Sequence, residues 1–246
     1  MIVLAIDTAG VNGSVALYEC GAGALARDGQ ILELVPLAGR TYSAQLMPQI
    51  SALLARHKLG KRAIDAYAAA TGPGSFTGLR VGLSTVKALA EVTGKPIAAV
   101  SLLEALAWAG ARGVARLSEP GTVNQHFEAQ VTAALDAMRG EVFVGEYVVR
   151  ENAAPKLLRE VLMPMQEFVA ESQLAPQLPV ITPDESVASL LRARAQPVQV
   201  VPRPQSDVIA RIGALKIAAG QVILPEALDA NYIRRSDAEI FSKGSS

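Results

Sequence analysis

Apolar positions along this chain recur with two periods, two for strands and about 3.6 for helices, and the periods alternate in a repeating order. A β-branched run at residues 2–6 ends in Asp7-Thr8, a turn carries Gly10 and Gly13, and residues 14–18 continue as a second strand, which predicts a hairpin. A third strand is expected at 31–37. Leu46, Ile50, Leu53 and Leu54 share one helical face within residues 43–59, with Pro48 placed to bend the helix near its start and Gly60 to stop it. A fourth strand at 63–70, a helix at 76–93, a fifth strand at 96–101 and a helix at 102–110 follow. The order is βββαβαβα.

Residues 111–130 are polar with a Pro-Gly turn, and read as a loop or linker. The same order then returns. Strands are expected at 131–137 and 142–149 around Arg139-Gly140, then at 157–163, a short helix at 165–172, and a strand at 179–182. A helix at 185–195, a strand at 198–201, and a helix at 207–219 capped by Ser206 and closed by Gly220 complete the copy. Two copies of one topology, with Asp7 and Asp136 at matching strand ends, predict an α/β fold built by duplication. That is the two-lobed actin, sugar kinase and Hsp70 arrangement of ribonuclease H-like lobes, the second reduced. The expected boundaries are 1–110 for the first lobe, 111–130 for a variable loop, 131–235 for the second lobe, its last helix free to pack back on the first, and 236–246 for a tail.

The helix at 76–93 organises the first lobe. Gly72, Pro73 and Gly74 mark a turn before it, Ser75 is placed to cap it, and Gly94 ends it. Phe76, Leu79, Leu83, Val86 and Ala90 form a stripe expected to face the core. The opposite stripe, Gly78, Val81, Gly82, Thr85, Ala88 and Val92, is also small or apolar, so the helix is expected to be buried on two sides. The pattern alone leaves open whether a partner or another layer of the same domain covers that second side. A phosphate cradle at the glycine turn, with Arg80 one turn in, is a third reading; against it, Gly78 is followed by Leu79-Arg80 rather than the Lys-Ser or Lys-Thr of a Walker loop.

Composition narrows the function classes. The 246 residues are 50% hydrophobic, enough for sizeable cores, and 23 basic residues balance 23 acidic ones, so no global field would hold a polyanion. The single cysteine, Cys20, precludes an internal disulfide and reads as a small buried residue of a reducing compartment. The opening MIVLAIDTAG has no basic leader and no run spans a membrane, so a cytoplasmic location is expected. His57 and His126 share no helix face, which predicts no metal site. Asp7, Asp65 and Asp136 each end or open a strand, where carboxylates cap turns. In a nucleotide cleft of this architecture Asp7 and Thr8, with Gly10 and Gly13, would form the first phosphate loop. The matching turn at 137–140 is too tight to wrap phosphates, and no glycine stands between Gly145 and Gly213 to let backbone approach an adenosine. The cleft is expected to be degenerate, with no cofactor and no catalytic group.

With these segments in place the chain resembles the TsaB family, also called YeaZ, of bacterial tRNA-modification proteins. LAIDTAGVNGSVAL is similar to the family's opening hairpin, TGPGSFTGLRVGLSTVKALA to its glycine-rich signature and second helix, and PIAAVSLLEALA to the next strand and helix. LDAMRGEVFVGEY resembles its DARRGEVY segment, and DANYIRR its C-terminal ending. The chain departs from the family where Tyr42-Ser43-Ala44 replaces a common His-Ser-Glu and where residues 111–130 look longer than usual. The resemblance implies a non-catalytic subunit that pairs with the metal-bearing TsaD and the ATPase TsaE to place a threonylcarbamoyl group on the adenosine beside the tRNA anticodon. It implies pairing through the first two helices, hence Met47, Ser51, Leu54, Gly78, Val81, Gly82, Thr85, Ala88 and Val92 as partner-binding residues. It also implies a homodimer when alone, and tRNA contact only through the complex. The competing reading is a stand-alone small-molecule kinase or peptidase of the same architecture.

Overall fold

The computed structural model describes residues 1–21, 29–37, 41–118, 127–231 and 233, and the side chains of all but 112–118 among them. The elements are β1 (Ile2–Asp7), β2 (Gly13–Glu19), β3 (Gln30–Leu37), α1 (Tyr42–Arg56), β4 (Ala66–Gly72), α2 (Phe76–Thr93), β5 (Ile97–Ser101) and α3 (Leu102–Ser118). After them come β6 (Glu128–Asp136), β7 (Glu141–Arg150), β8 (Lys156–Pro164), α4 (Met165–Leu174), β9 (Val180–Thr182), α5 (Glu185–Arg192), β10 (Val198–Val200) and α6 (Ser206–Ala218). The duplication is plain in the sheets, ordered β3-β2-β1-β4-β5 and β8-β7-β6-β9-β10. In each, three antiparallel strands are extended by two that run parallel to the first. The second copy is the smaller, with β9 and β10 only three residues long.

Alternation along β4 shows how the layers are assigned. Tyr67 points to one face, where its hydroxyl meets Thr93 Oγ1 of α2 at 3.2 Å, and Ala68 points to the other, against Gly213 of α6. A Cβ on Gly213 would fall 2.5 Å from that of Ala68, so only glycine lets the helix lie this close. The first sheet therefore carries α1 and α2 outside and α6, from the second half of the chain, inside. The second sheet mirrors this. α3, from the first half, lies on β6 and β7, with Gly110 pressed on Ile181, while α4 and α5 cover the outer face over Ala134, Val142 and Val144. The lobes thus exchange their last helices, and one core runs through both.

Polar ties cross the same junction. Ser206 at the start of α6 donates its hydroxyl to Ser14 O at 2.6 Å, and its amide donates to Ser14 Oγ at 2.9 Å, all of it buried. Lys216 of α6 donates to Ala99 O at 2.8 Å and to Glu104 Oε2 of α3 at 2.7 Å. Burial pushes the Glu104 carboxyl above its ordinary value, and the Lys216 ammonium pulls it back. Lys216→Met should cost about 3 kcal/mol at pH 7, because it strands a buried carboxylate. The loss should shrink as pH falls and Glu104 becomes neutral. Urea unfolding at pH 7 and pH 4.5 checks both statements.

Several expectations are corrected. α3 does not stop at Gly110 but runs to Ser118, because Gly110 is a packing position and not a cap. The expected loop at 111–130 is therefore helical at its start and opens β6 at its end; residues 119–126, with His126, lie outside the described residues. α1 ends at Arg56, three residues early, where Lys58 turns left-handed (φ 54°). α5 ends at Arg192 rather than 195. Ser206 is the first helical residue, not the cap, since its hydroxyl is committed to Ser14. Phe76 is 40% exposed rather than in the core, and the Arg80 guanidinium stacks on it at 3.7 Å. The tail at 236–246 and most of residues 232–235 lie outside the described residues.

Candidate partner interface

The two helices outside the first sheet lie side by side. α1 buries Tyr42, Leu46, Ile50, Leu53 and Leu54, which leaves Ser43, Ala44, Met47, Pro48, Ser51, Ala52 and Ala55 exposed. Its one charge is Arg56 in the last turn, paired with Glu33 at 2.6 Å. An exposed helix face three turns long without a charge departs from an ordinary solvated surface and matches the charge depletion of interface cores.

α2 lies beside this face and does carry charge, with Arg80 and Glu91 exposed and Lys87 half-buried. Ser75 caps it as expected, its Oγ accepting from Gly78 N at 3.2 Å, and Leu79, Leu83, Val86 and Ala90 are buried. Val81 and Thr85 are half-buried, and Ala88 and Val92 exposed, the latter 82%. Thr85 and Ser84 donate their hydroxyls to Val81 O at 2.8 and 3.1 Å, so neither needs water or a partner to satisfy it. A groove beside α1 is lined by Met47, Ile50, Ser51, Leu54, Ile64 and Leu89, with Lys61 its one charged residue.

The partner stripe read from the sequence splits in two here. Met47 and Ser51 on α1 and Ala88 and Val92 on α2 are exposed, Val81 and Thr85 are half-buried, and Leu54 forms part of the groove though itself buried. Gly78 and Gly82 do not face outward. Both are covered by Thr8 of the same chain: a Cβ on Gly78 would stand 2.1 Å from Thr8 O, and one on Gly82 2.3 Å from Thr8 Oγ1. Thr8 Oγ1 also donates to Gly78 O at 2.7 Å. Gly78→Ala should therefore destabilise the fold by about 1–3 kcal/mol, since backbone and not a flexible side chain blocks the methyl group. Exposed Ser84→Ala should stay within about 0.5 kcal/mol. Thermal unfolding of the two variants compares them.

The same contact fills the first hairpin's turn. Ser75 N donates to Ala9 O at 2.7 Å, so this amide and that of Gly78, at the start of α2, are met from within the chain. Asp7 and Thr8, the residues a phosphate loop would use, are 4% and 2% exposed. Asp7 Oδ1 accepts from Ala9 N at 2.8 Å, and Tyr42 donates its hydroxyl to Gly10 O at 2.7 Å. Burial raises the Asp7 pKa to about 6, against the Ala9 amide and the Arg203 charge, which lower it. At the matching position Asp136 accepts from Met138 N at 2.7 Å and from Ser186 Oγ at 2.8 Å, and the turn closes through left-handed Arg139 and Gly140. Asp65 accepts from Ile2 N at 2.8 Å. His57 is paired with Glu33 at 2.8 Å, and Cys20 is buried. Among the described residues no three of His, Cys, Asp and Glu could hold a metal ion, and no helix is long and apolar enough to cross a membrane.

Paired sheets of one topology with exchanged last helices define the class: a two-lobed protein of the actin, sugar kinase and Hsp70 kind, built from ribonuclease H-like lobes. Residues 35–182, more than half of the chain, match the family model of TsaD, tRNA N6-adenosine threonylcarbamoyltransferase. The chain belongs to that family, in its TsaB (YeaZ) group. It is 30% identical over 171 residues to the tRNA threonylcarbamoyladenosine biosynthesis protein TsaB of Bacillus subtilis, covering 70% of this chain and 64% of the relative. To TsaB of Escherichia coli it is 32% identical over 152 residues, covering 62% and 57%. The matches thus span less than two thirds of these relatives' lengths. Among solved structures, YeaZ from Pseudomonas aeruginosa superposes with a TM-score of 0.69 at 23% identity, covering 94% of this chain and all of the other. A crystal structure described as an uncharacterized protein with similarity to peptidase YEAZ, from the same organism, gives 0.72 at 24%, covering 95% and 99%.

Proposed function

We propose that this chain is a non-catalytic subunit in the synthesis of threonylcarbamoyladenosine on tRNA, and that it acts by docking a TsaD-like catalytic protein on the outer face of α1 and α2. The observation that carries this reading is the uncharged exposed face of α1, bordered by a groove that Leu89 of α2 helps to line. Alone, the chain uses the same face to pair with itself; in the complex, a TsaE-like ATPase joins and tRNA is met through the assembly, in the cytoplasm. A partner that binds the active arrangement better than the inactive one shifts the population by its differential affinity, and about 3 kcal/mol gives roughly a hundredfold shift. No side chain of this chain need react.

Co-expression with the TsaD-like protein, followed by sizing and amide exchange, tests the reading. A complex of the two chains should form, with slowed exchange across residues 43–55 and 81–92. Protection confined to another surface would refute it.

A further inference from the structure

The turn between α1 and β4 concentrates positive charge that subunit pairing does not require. Residues 56–62 read Arg-His-Lys-Leu-Gly-Lys-Arg, and no acid stands between Glu33 and Asp65. Those two acids are already taken. Glu33 meets Arg56 at 2.6 Å and His57 at 2.8 Å, while Asp65 accepts from Ile2 N at 2.8 Å and has Lys95 at 3.9 Å. Lys58, Lys61 and Arg62 are left exposed, with no ion pair among the described residues. By contrast, Arg150, Arg159, Arg192 and Lys216 each meet a carboxylate. The chain is neutral overall, yet this end of the first lobe is locally positive.

The turn is also held in one shape. Lys58 is left-handed (φ 54°), its amide donates to Ala55 O at 3.0 Å, and Leu59 N donates to Leu54 O at 2.9 Å, which closes the end of α1. Leu59 packs on the core, Ile64 is buried, and the 3₁₀ turn Lys61–Ala63 between them is closed by Ala63 N donating to Gly60 O at 2.9 Å. The three free cations therefore stand on one short, anchored stretch of backbone.

The chemistry of this stretch selects its partner. It offers charge with little apolar surface, since Leu59 and Ile64 pack inward, and it has no Phe, Tyr or Trp on which a base could stack. Two of the three cations are lysines, which are depleted in protein interfaces and suited to phosphates. Lys61 also lines the groove beside α1, so the turn borders the face proposed for docking. We infer that Lys58, Lys61 and Arg62 contact the phosphate backbone of tRNA in the assembled complex, reading charge and not base sequence. The inference rests on the proposed role in tRNA modification and adds to it a direct RNA contact by this chain.

A fluorescently labelled tRNA transcript titrated at several salt concentrations into the complex of this chain with the TsaD-like protein tests the inference. Replacing the three cations together, by Lys58→Gln, Lys61→Gln and Arg62→Gln, should weaken binding at least about tenfold at low salt and reduce the slope of log affinity against log salt by about 2 to 3. Lys58→Arg with Lys61→Arg, which keeps the charges, should bind as the native protein does. So should a control that removes as many charges from the second lobe, Arg139→Gln, Lys156→Gln and Arg194→Gln, all exposed. Unchanged affinity in the first variant, or an equal loss in the control, would overturn the inference. Loss of pairing by the first variant on sizing would overturn it too, and would make the turn a contact for the protein partner. Should the native chains fail to pair, the proposed function falls, and the same titration on this chain alone at low salt decides the inference. Binding of tRNA by the native chain and not by the first variant would then support it, and binding by neither would overturn it.

Discussion

Ala88→Arg is expected to abolish pairing with the TsaD-like protein, weakening it by at least about a hundredfold, or roughly 2.7 kcal/mol. Ala88 is exposed in the fourth turn of α2, whose neighbour α1 carries no acid, and Glu91, one turn on in α2, is the acid its own helix offers. Docking would desolvate the new charge and crowd its long side chain against the partner, and that cost falls entirely on the complex. The isolated chain should fold as before, because the position is open to solvent. Leu174→Arg, on α4 and 86% exposed, serves as the control and should pair normally. Sizing and calorimetry of both variants compare them directly.

The second large effect concerns Asp7. Its folded pKa of about 6 lies above its unfolded value of 3.8, with burial the largest cause. A raised pKa means that the folded state binds more protons than the unfolded one between these values. The stability linked to this group is full below about pH 4 and is lost as pH rises through 6, a swing of about 3 kcal/mol. Asp7→Asn removes the titration and keeps an oxygen to accept from the Ala9 amide. The variant should match the native protein at pH 4 and exceed its unfolding free energy by up to about 3 kcal/mol at pH 7.5. Urea unfolding across that range gives the difference. Equal pH dependence in the two proteins would show that Asp7 does not titrate as its burial demands.

Most of the architecture was legible in the sequence. The switch between periods gave both βββαβαβα copies, because half-buried strands and two-sided helices impose strong alternation, and Asp7 and Asp136 stand at equivalent strand ends as read. Ser75 was recognisable as a cap from its place after a glycine turn. The outcome at Gly78 and Gly82 was not legible: helical spacing puts small residues on one stripe but does not say that Thr8, seventy residues earlier, fills the space above two of them. The signal was there in part, since glycine rather than alanine is needed only where backbone comes within van der Waals distance. Gly110 misled for the opposite reason. A glycine near the end of an apolar run looks like a stop, yet here it seats α3 on Ile181 of the other lobe, a contact that no local pattern encodes. The absence of charge on α1 was present in the sequence and became informative once the structure told which of its residues are exposed.

A buried acid with a raised pKa is also what a catalytic residue looks like, so the account stands or falls on activity. The decisive measurement is threonylcarbamoyl transfer to tRNA in a reconstituted system with ATP, threonine, bicarbonate and the partner subunits. Native protein, Asp7→Asn, Asp136→Asn and Ala88→Arg are compared at equal concentration. The account predicts that both aspartate variants support transfer within a few-fold of native and that Ala88→Arg does not. An aspartate variant that pairs normally yet loses transfer by about a thousandfold would contradict it, and would place a catalytic carboxylate in this chain.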